Sequence, residues 1–250
     1  MMFVKRLMRI FIFIITINLI IPTMASFAGT LLIDFDNGKM DGWERSPQNQ
    51  KNNGVFWGIA DKALMFDPKG QAWDQAISQL NFVGNKQVTN VREWTDYEVE
   101  VDIKHAELAN WPGGFRARVD LDTGGHYAVW IYPGDSKINL YKNPAWDINT
   151  GLTSLGQAAY KAEAGKFHTI KLSCIGDDIR VSYDGKEIIA AKDSEHKKGT
   201  IATDVQDKVV YYDNIKVTGA DIPNIKMSPV ESAGKLTATW GDVKADKNGI

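Results

Sequence analysis

The chain has 250 residues, 44% of them hydrophobic and 24% charged, with a formal net charge of −2 and a single cysteine. A near-neutral, slightly acidic balance argues against nucleic acid or anionic membrane as the main partner, and one cysteine excludes an internal disulfide framework. The length is enough for one domain with its own core.

The N-terminus carries Lys5, Arg6 and Arg9, then an apolar run from Ile10 to Ile21 and a small-residue stretch ending Ser26-Phe27-Ala28. The apolar run is too short to span a bilayer, and with its basic start and small residues at −3 and −1 it has the form of a cleaved signal peptide, residues 1–28. Cleavage is expected after Ala28, or after Ala25, giving a secreted or periplasmic protein with no membrane insertion afterwards. Removing residues 1–28 takes away three basic groups and moves the net charge to −5.

From Leu31 onward almost every segment reads as a short strand: 31–35, 55–59, 63–66, 97–103, 115–121, 127–132, 137–141, 168–174, 178–183, 186–190, 199–203 and 209–217. These segments are rich in β-branched and aromatic residues and are separated by Gly, Asn, Asp or Pro. Only Leu155 to Ala164, with Gly165 behind it, has the composition of a brief helix. Tyr183-Asp184-Gly185-Lys186 places Asp-Gly where a tight hairpin needs positive φ. Cys174 falls in step with Ile170 and Leu172, as a buried small residue would. So many strands with almost no helix predict an all-β fold, and this length favours a two-sheet antiparallel jelly-roll sandwich over residues 29–219. After Gly219 the pattern breaks, and 220–250 reads as a linker and C-terminal tail.

Within this frame, Gly114 to Tyr141 sorts onto two faces. Phe115, Ala117, Val119 and Leu121 alternate with Arg116, Arg118, Asp120 and Asp122; Tyr127, Val129 and Ile131 alternate with His126, Ala128, Trp130 and Tyr132. With the apolar sets turned to the core, Arg116, Arg118, Asp120, Trp130 and Tyr132 form a solvent-facing surface suited to sugars. Guanidinium forks and a carboxylate meet hydroxyls, and rings stack on a pyranose. Trp73, Trp111 and Trp146 stand in Pro-, Gly- or amide-rich loops, where they could line the rim of such a cleft or plug an end of the sandwich. Trp43 and Trp57, near strands, are expected in the core.

The segments FHTIKLSCIGDDIRVSYDGKEI and GTIATDVQDKVVYYDNIKV, with DFDNGKMDGW near the start, resemble the concanavalin A-like lectin/glucanase jelly roll, especially its laminin G-like and 3-keto-disaccharide-hydrolase-like branches. That resemblance covers about residues 31–218 and implies the fold; the superfamily includes lectins, enzymes and interaction modules, so it does not by itself imply a function. The glucanases of that superfamily carry E-x-D-x-x-E. Here Glu100 and Asp102 are followed by His105 in place of the second glutamate, so the carboxylate pair of a retaining mechanism is incomplete and the charges read as the outer face of a strand. Similar modules place a structural calcium between the first and last strands. Asp34 and Asp36 with Asn37, and Asp213 with Asn214, would supply hard oxygen donors for Ca²⁺, or would simply cap turns. The expectation is a secreted, non-catalytic carbohydrate-binding module with a glycan or polysaccharide as partner. The alternatives are a glycoside-processing enzyme of the 3-keto-disaccharide hydrolase type and a protein-binding adhesion or structural domain.

Overall fold

The computed structural model describes residues 28–40, 43–45, 56–68, 74–78, 90–110, 113–206 and 208–227. The expected signal peptide, apart from Ala28, lies outside the described residues, as do Trp73, Trp111 and the tail beyond Met227. Among the described residues no helix is long and apolar enough to cross a membrane.

Sixteen strands and one 3₁₀ turn, Val91–Glu93, make up the described elements. In chain order the strands are β1 Gly29–Ile33, β2 Trp43–Arg45, β3 Phe56–Ala60, β4 Ala63–Asp67, β5 Asp74–Ser78, β6 Tyr97–His105, β7 Gly113–Val119 and β8 Gly124–Tyr132. They continue with β9 Lys137–Ala145, β10 Thr153–Ala159, β11 Phe167–Ile175, β12 Asp178–Tyr183, β13 Lys186–Lys192, β14 Thr200–Val205, β15 Val210–Gly219 and β16 Ile225–Met227. The first sheet runs β13-β12-β11-β6-β15-β1-β16, with β4 also on β15 and β3 on β4; the second runs β10-β9-β8-β7-β14-β5-β2. This is the antiparallel two-sheet jelly roll expected from the alternating pattern.

The alternation explains the core. Val99, Val101 and Ile103 of β6 and Ile170, Leu172 and Cys174 of β11 face Phe115, Ala117, Tyr127, Val129 and Ile131 of the second sheet. Cys174 is buried and unpaired, and burial pushes its thiol up to about 12, so it behaves as a small apolar residue. Trp43 is in the core and Trp57 packs against it; Trp94, fully buried on Tyr97, is a core ring that strand periodicity alone does not single out. The β12–β13 hairpin turns through Asp184 at φ 43° and Gly185 at φ 81°, as Asp-Gly requires.

Two elements depart from the sequence expectation. The first half of the helix expected over 155–164 is instead the end of β10, paired with β9 through a register shift between Ser154 and Gly156, and 160–164 is irregular. Gly156 is a poor helix residue, and Leu155 and Ala158 gain more by packing on the core than an isolated turn of helix would give. Residues 225–227, within the stretch read as a linker, lie parallel to β1. Ile222, buried just before them, fixes the turn that brings the chain back.

Candidate functional site

The second sheet has a polar face turned away from the core, built by ladder register. One row runs Asp204, Gly114, Trp130, Asn139 and Gln157 across β14, β7, β8, β9 and β10. The next runs Ala202, Arg116, Ala128, Tyr141 and Ser154, and beyond it His126 stands opposite Asn143. Phe115, Ala117, Tyr127, Val129 and Ile131 face the core as the alternation requires, but past the register shift of β7 Val119 and Leu121 pack instead with Ala202 and Trp146. The opposite face is not open, since Arg116, His126, Ala128 and Asn143 are all 0% exposed.

The expected site residues part ways here. Arg116 is a buried ion-pair partner rather than a solvent-facing fork. Its Nε donates to both carboxylate oxygens of Asp204, at 2.7 and 2.9 Å. Trp130 is 5% exposed and donates Nε1–H to the same carboxylate at 2.8 Å. Gly114 makes this possible: a Cβ there would lie 3.1 Å from the Trp130 ring and 2.1 Å from the Val129 carbonyl, so only glycine lets the indole cross β7. Trp130 also packs tilted against Tyr141, with centroids 5.1 Å apart. Tyr132 is half-buried on the same face, its hydroxyl 3.4 Å from that of Tyr141, and burial, then this contact, raise its pKa.

Arg118 is a correction of a different kind. It sits at φ 49° where the pairing of β7 with β14 slips, and such a bulge re-aims the side chain. The guanidinium is 1% exposed and donates to the carbonyls of Thr95, Cys174, Gly176 and His196 and to Asp96, tying the second sheet to the first. Asp120 is exposed, but its carboxylate caps the β7–β8 turn by accepting from the amides of Asp122 and Thr123, the latter bond contributing most to holding its pKa low. Trp146 packs half-buried on a small cluster of Val119, Ala202 and Leu121, beside Gly124, whose φ of 82° opens room for the ring. The structure therefore brings together Arg116, Trp130 and Tyr132 with Trp146 at the edge, and leaves Arg118 and Asp120 out.

His126, Asn139, Tyr141, Asn143 and Asp204 complete the face and were missed from sequence. For the three β9 residues the signal is there: Ile138 and Leu140 alternate with Asn139, Tyr141 and Asn143. The His126 Nδ1 lies 2.6 Å from the Gly124 carbonyl and 3.1 Å from Arg116 Nη1. Burial, then the Arg116 charge, hold this imidazole neutral by lowering its pKa well below the ordinary value. His126 Nε2, Asn139 Oδ1 and Asn143 Oδ1 are buried with no hydrogen-bond partner. Each such atom costs about 1–3 kcal/mol unless something donates to it.

The glucanase-like strand and the expected metal donors lie on the outer face of the first sheet. Glu98 and Glu100 pair with Lys171 and Lys216, while Asp102 accepts from Thr169 and Asn214; His105 points into the core, 5% exposed. Burial pushes the Asp213 carboxyl up to about 6, and Asp102, Asp36 and Asp34 add to the rise. Asp34 accepts from the amide of Asp36, and Asp36 pairs with Lys62. Among the described residues no group of three or more His, Cys, Asp or Glu side chains is gathered to hold a metal ion. Calcium held by Asp34, Asp36 and Asp213 would raise the melting temperature in excess Ca²⁺ over excess EDTA, and coincident curves would remove the metal. A raised folded pKa means the native state binds the proton more tightly than the unfolded chain, so Asp213 lowers stability as pH rises through about 4 to 6. Asp213→Asn is expected to melt higher than the parent at pH 7, with the gain gone by about pH 4.

Comparison with known proteins places this geometry. The chain is similar in fold to the carbohydrate-binding module CBM66 from Bacillus subtilis, at 18% identity and TM-score 0.54, over 71% of this chain and 96% of that one. It is similarly close to a galectin-like-fold protein of unknown function from Bacillus subtilis, at 14% identity, TM-score 0.51 and coverage of 71% and 90%. A prokaryotic β-1,3-1,4-glucanase (lichenase) from a mouse hindgut metagenome matches at 12% identity, TM-score 0.52 and coverage of 79% and 100%. No curated protein matches the chain. These structures share the concanavalin A-like jelly roll described above. The family model of the 3-keto-α-glucoside-1,2-lyase-like domain matches residues 32–218, from within β1 to within β15, and the chain belongs to that family.

Proposed function

We propose that the protein is an exported carbohydrate-binding jelly roll whose glycan site is the outer face of the second sheet. The observation that carries this reading is the coincidence on one face of unpartnered acceptors, His126 Nε2, Asn139 Oδ1 and Asn143 Oδ1, with the half-buried rings of Tyr132, Tyr141 and Trp146. Sugars supply hydroxyl donors for the first and apolar C–H faces for the second. Membership of a family named for a glucoside supports a sugar ligand. Export rests on the basic, apolar and small-residue pattern of residues 1–28.

A glycan array with the full chain, followed by Tyr132→Ala, tests the site. This substitution is expected to weaken binding about 2- to 12-fold, the equivalent of about 0.5–1.5 kcal/mol for one stacked ring, while leaving the melting temperature nearly unchanged. Binding unaffected by Tyr132→Ala and by Tyr141→Ala would move the glycan site elsewhere.

A second reading, a glycoside-processing enzyme, has one observation of its own. His126 is neutral, carries an unpartnered Nε2 and lies against the Arg116 cation, an arrangement able to accept a proton beside a developing negative charge. Incubation with 3-keto-glucosides separates the two readings. Release of a keto sugar, abolished by His126→Phe in a folded protein, favours the enzyme; binding without product favours the module.

A further inference from the structure

The polar face is uneven in its hydrogen-bonding character, and this decides what kind of sugar it can take, given that it is the glycan site. Asn143 donates Nδ2 to the Asp147 carbonyl at 3.0 Å, which fixes the amide orientation and leaves Oδ1 as the open atom. We assign the ring proton of His126 to Nδ1, toward the Gly124 carbonyl at 2.6 Å and not the Arg116 Nη1 at 3.1 Å, which leaves Nε2 its lone pair. The two residues stand directly opposite each other across β8 and β9. Asn139 Oδ1 is a third open acceptor on the same face. The cations of this face are paired, Arg116 with Asp204 at 2.7 Å and Lys137 with Asp135 at 2.9 Å, and Trp130 Nε1 donates to Asp204. Trp146 packs on Gly124, whose carbonyl holds His126, so the acceptor pair lies at the edge of the face next to a half-buried ring.

We propose that His126 Nε2 and Asn143 Oδ1, with Asn139 Oδ1, read ligand hydroxyl hydrogens, so that this face selects uncharged, hydroxyl-bearing sugars over uronates, sulfated sugars and other anions. A carboxylate or sulfate oxygen brought to these three atoms would set acceptor against acceptor, and the cations described on this face, Arg116 and Lys137, are already paired with carboxylates of the protein. An oxo group is likewise an acceptor only. A keto sugar must therefore turn one of its remaining hydroxyls, and not its oxidised position, to the His126–Asn143 pair.

The test compares methyl α-glucoside with methyl α-glucuronide on the full chain by titration calorimetry or ligand-observed NMR, in low salt and in about 0.5 M salt, where surface electrostatics are screened. The glucoside is expected to bind about tenfold tighter or more, with a preference that survives salt. Asn143→Leu and His126→Phe, each shown to be folded by its melting curve, are expected to weaken glucoside binding by about tenfold and to narrow the gap. A glucuronide that binds equally or more tightly and is released by salt overturns the proposal on the parent protein alone, without any variant. Glucoside binding that Tyr132→Ala weakens but folded Asn143→Leu and His126→Phe leave intact overturns the hydroxyl-reading pair while sparing the glycan site. No binding of either sugar, with no hit on the array, removes the glycan reading and the proposal together.

Discussion

Asp204→Ala is expected to destabilise the protein by about 3–5 kcal/mol, read as a lower urea midpoint at unchanged slope. The substitution strands two donors at once. Arg116, 0% exposed, loses the carboxylate that both matches its charge and accepts its Nε, and the Trp130 indole N–H loses the acceptor it has among the described residues. Removing one partner of a buried ion pair is costly, because the remaining charge keeps its desolvation and loses that partner's attraction. Against a typical total of about 5–15 kcal/mol, such a loss leaves a large unfolded fraction at elevated temperature. The double change Arg116→Met with Asp204→Leu removes charge and partner together and is expected to recover much of the loss, since a well-packed apolar pair often replaces a buried ion pair at little cost. If the single and double variants fall equally, packing rather than unpaired charge explains the effect.

Trp130→Ala belongs with these residues. As an exposed ring it would cost little; at 5% exposure, packed on Tyr141 and bonded to Asp204, its loss is expected to cost about 3–5 kcal/mol. The sequence assigns the two faces of β8 correctly, with Tyr127, Val129 and Ile131 inward, but alternation says only which residues share a face. It does not say whether the second face is wet. A face carrying Arg, Trp and Tyr reads as solvated until a carboxylate from another strand is placed beside it, and Asp204 lies 88 residues from Arg116 along the chain. The same distance hides the role of Arg118. Its bulge depends on a register slip between β7 and β14, which no local pattern in either strand announces. What is local was legible: the strand alternation, the Asp-Gly hairpin and the core position of Cys174. The edge strand β10 was not, because LGQAAYKAEA is alanine-rich and its pairing with β9 and the packing of Leu155 and Ala158 on the core are what make its first half extended.

Arg118 carries the other large effect. Its guanidinium donates to four backbone carbonyls and one carboxylate, at 2.9 to 3.1 Å, drawn from the turn before β6, the end of β11 and the return before β14. Five donors in a planar fork are what only arginine supplies, whereas lysine brings three on a single rotating nitrogen. Arg118→Ala leaves the Cys174 carbonyl, and those around it, without their donor between the two sheets, and is expected to cost about 3–5 kcal/mol. Arg118→Lys keeps the charge beside Asp96 and recovers only part of the loss, since one ammonium cannot reach Thr95, Cys174, Gly176 and His196 together. Amide hydrogen exchange locates the effect. Protection is expected to fall first where β11 ends and in the segment around His196, with the β12–β13 hairpin retained. If Arg118→Lys is as stable as the parent, the charge beside Asp96 and not the fork is what holds this end of the sandwich together.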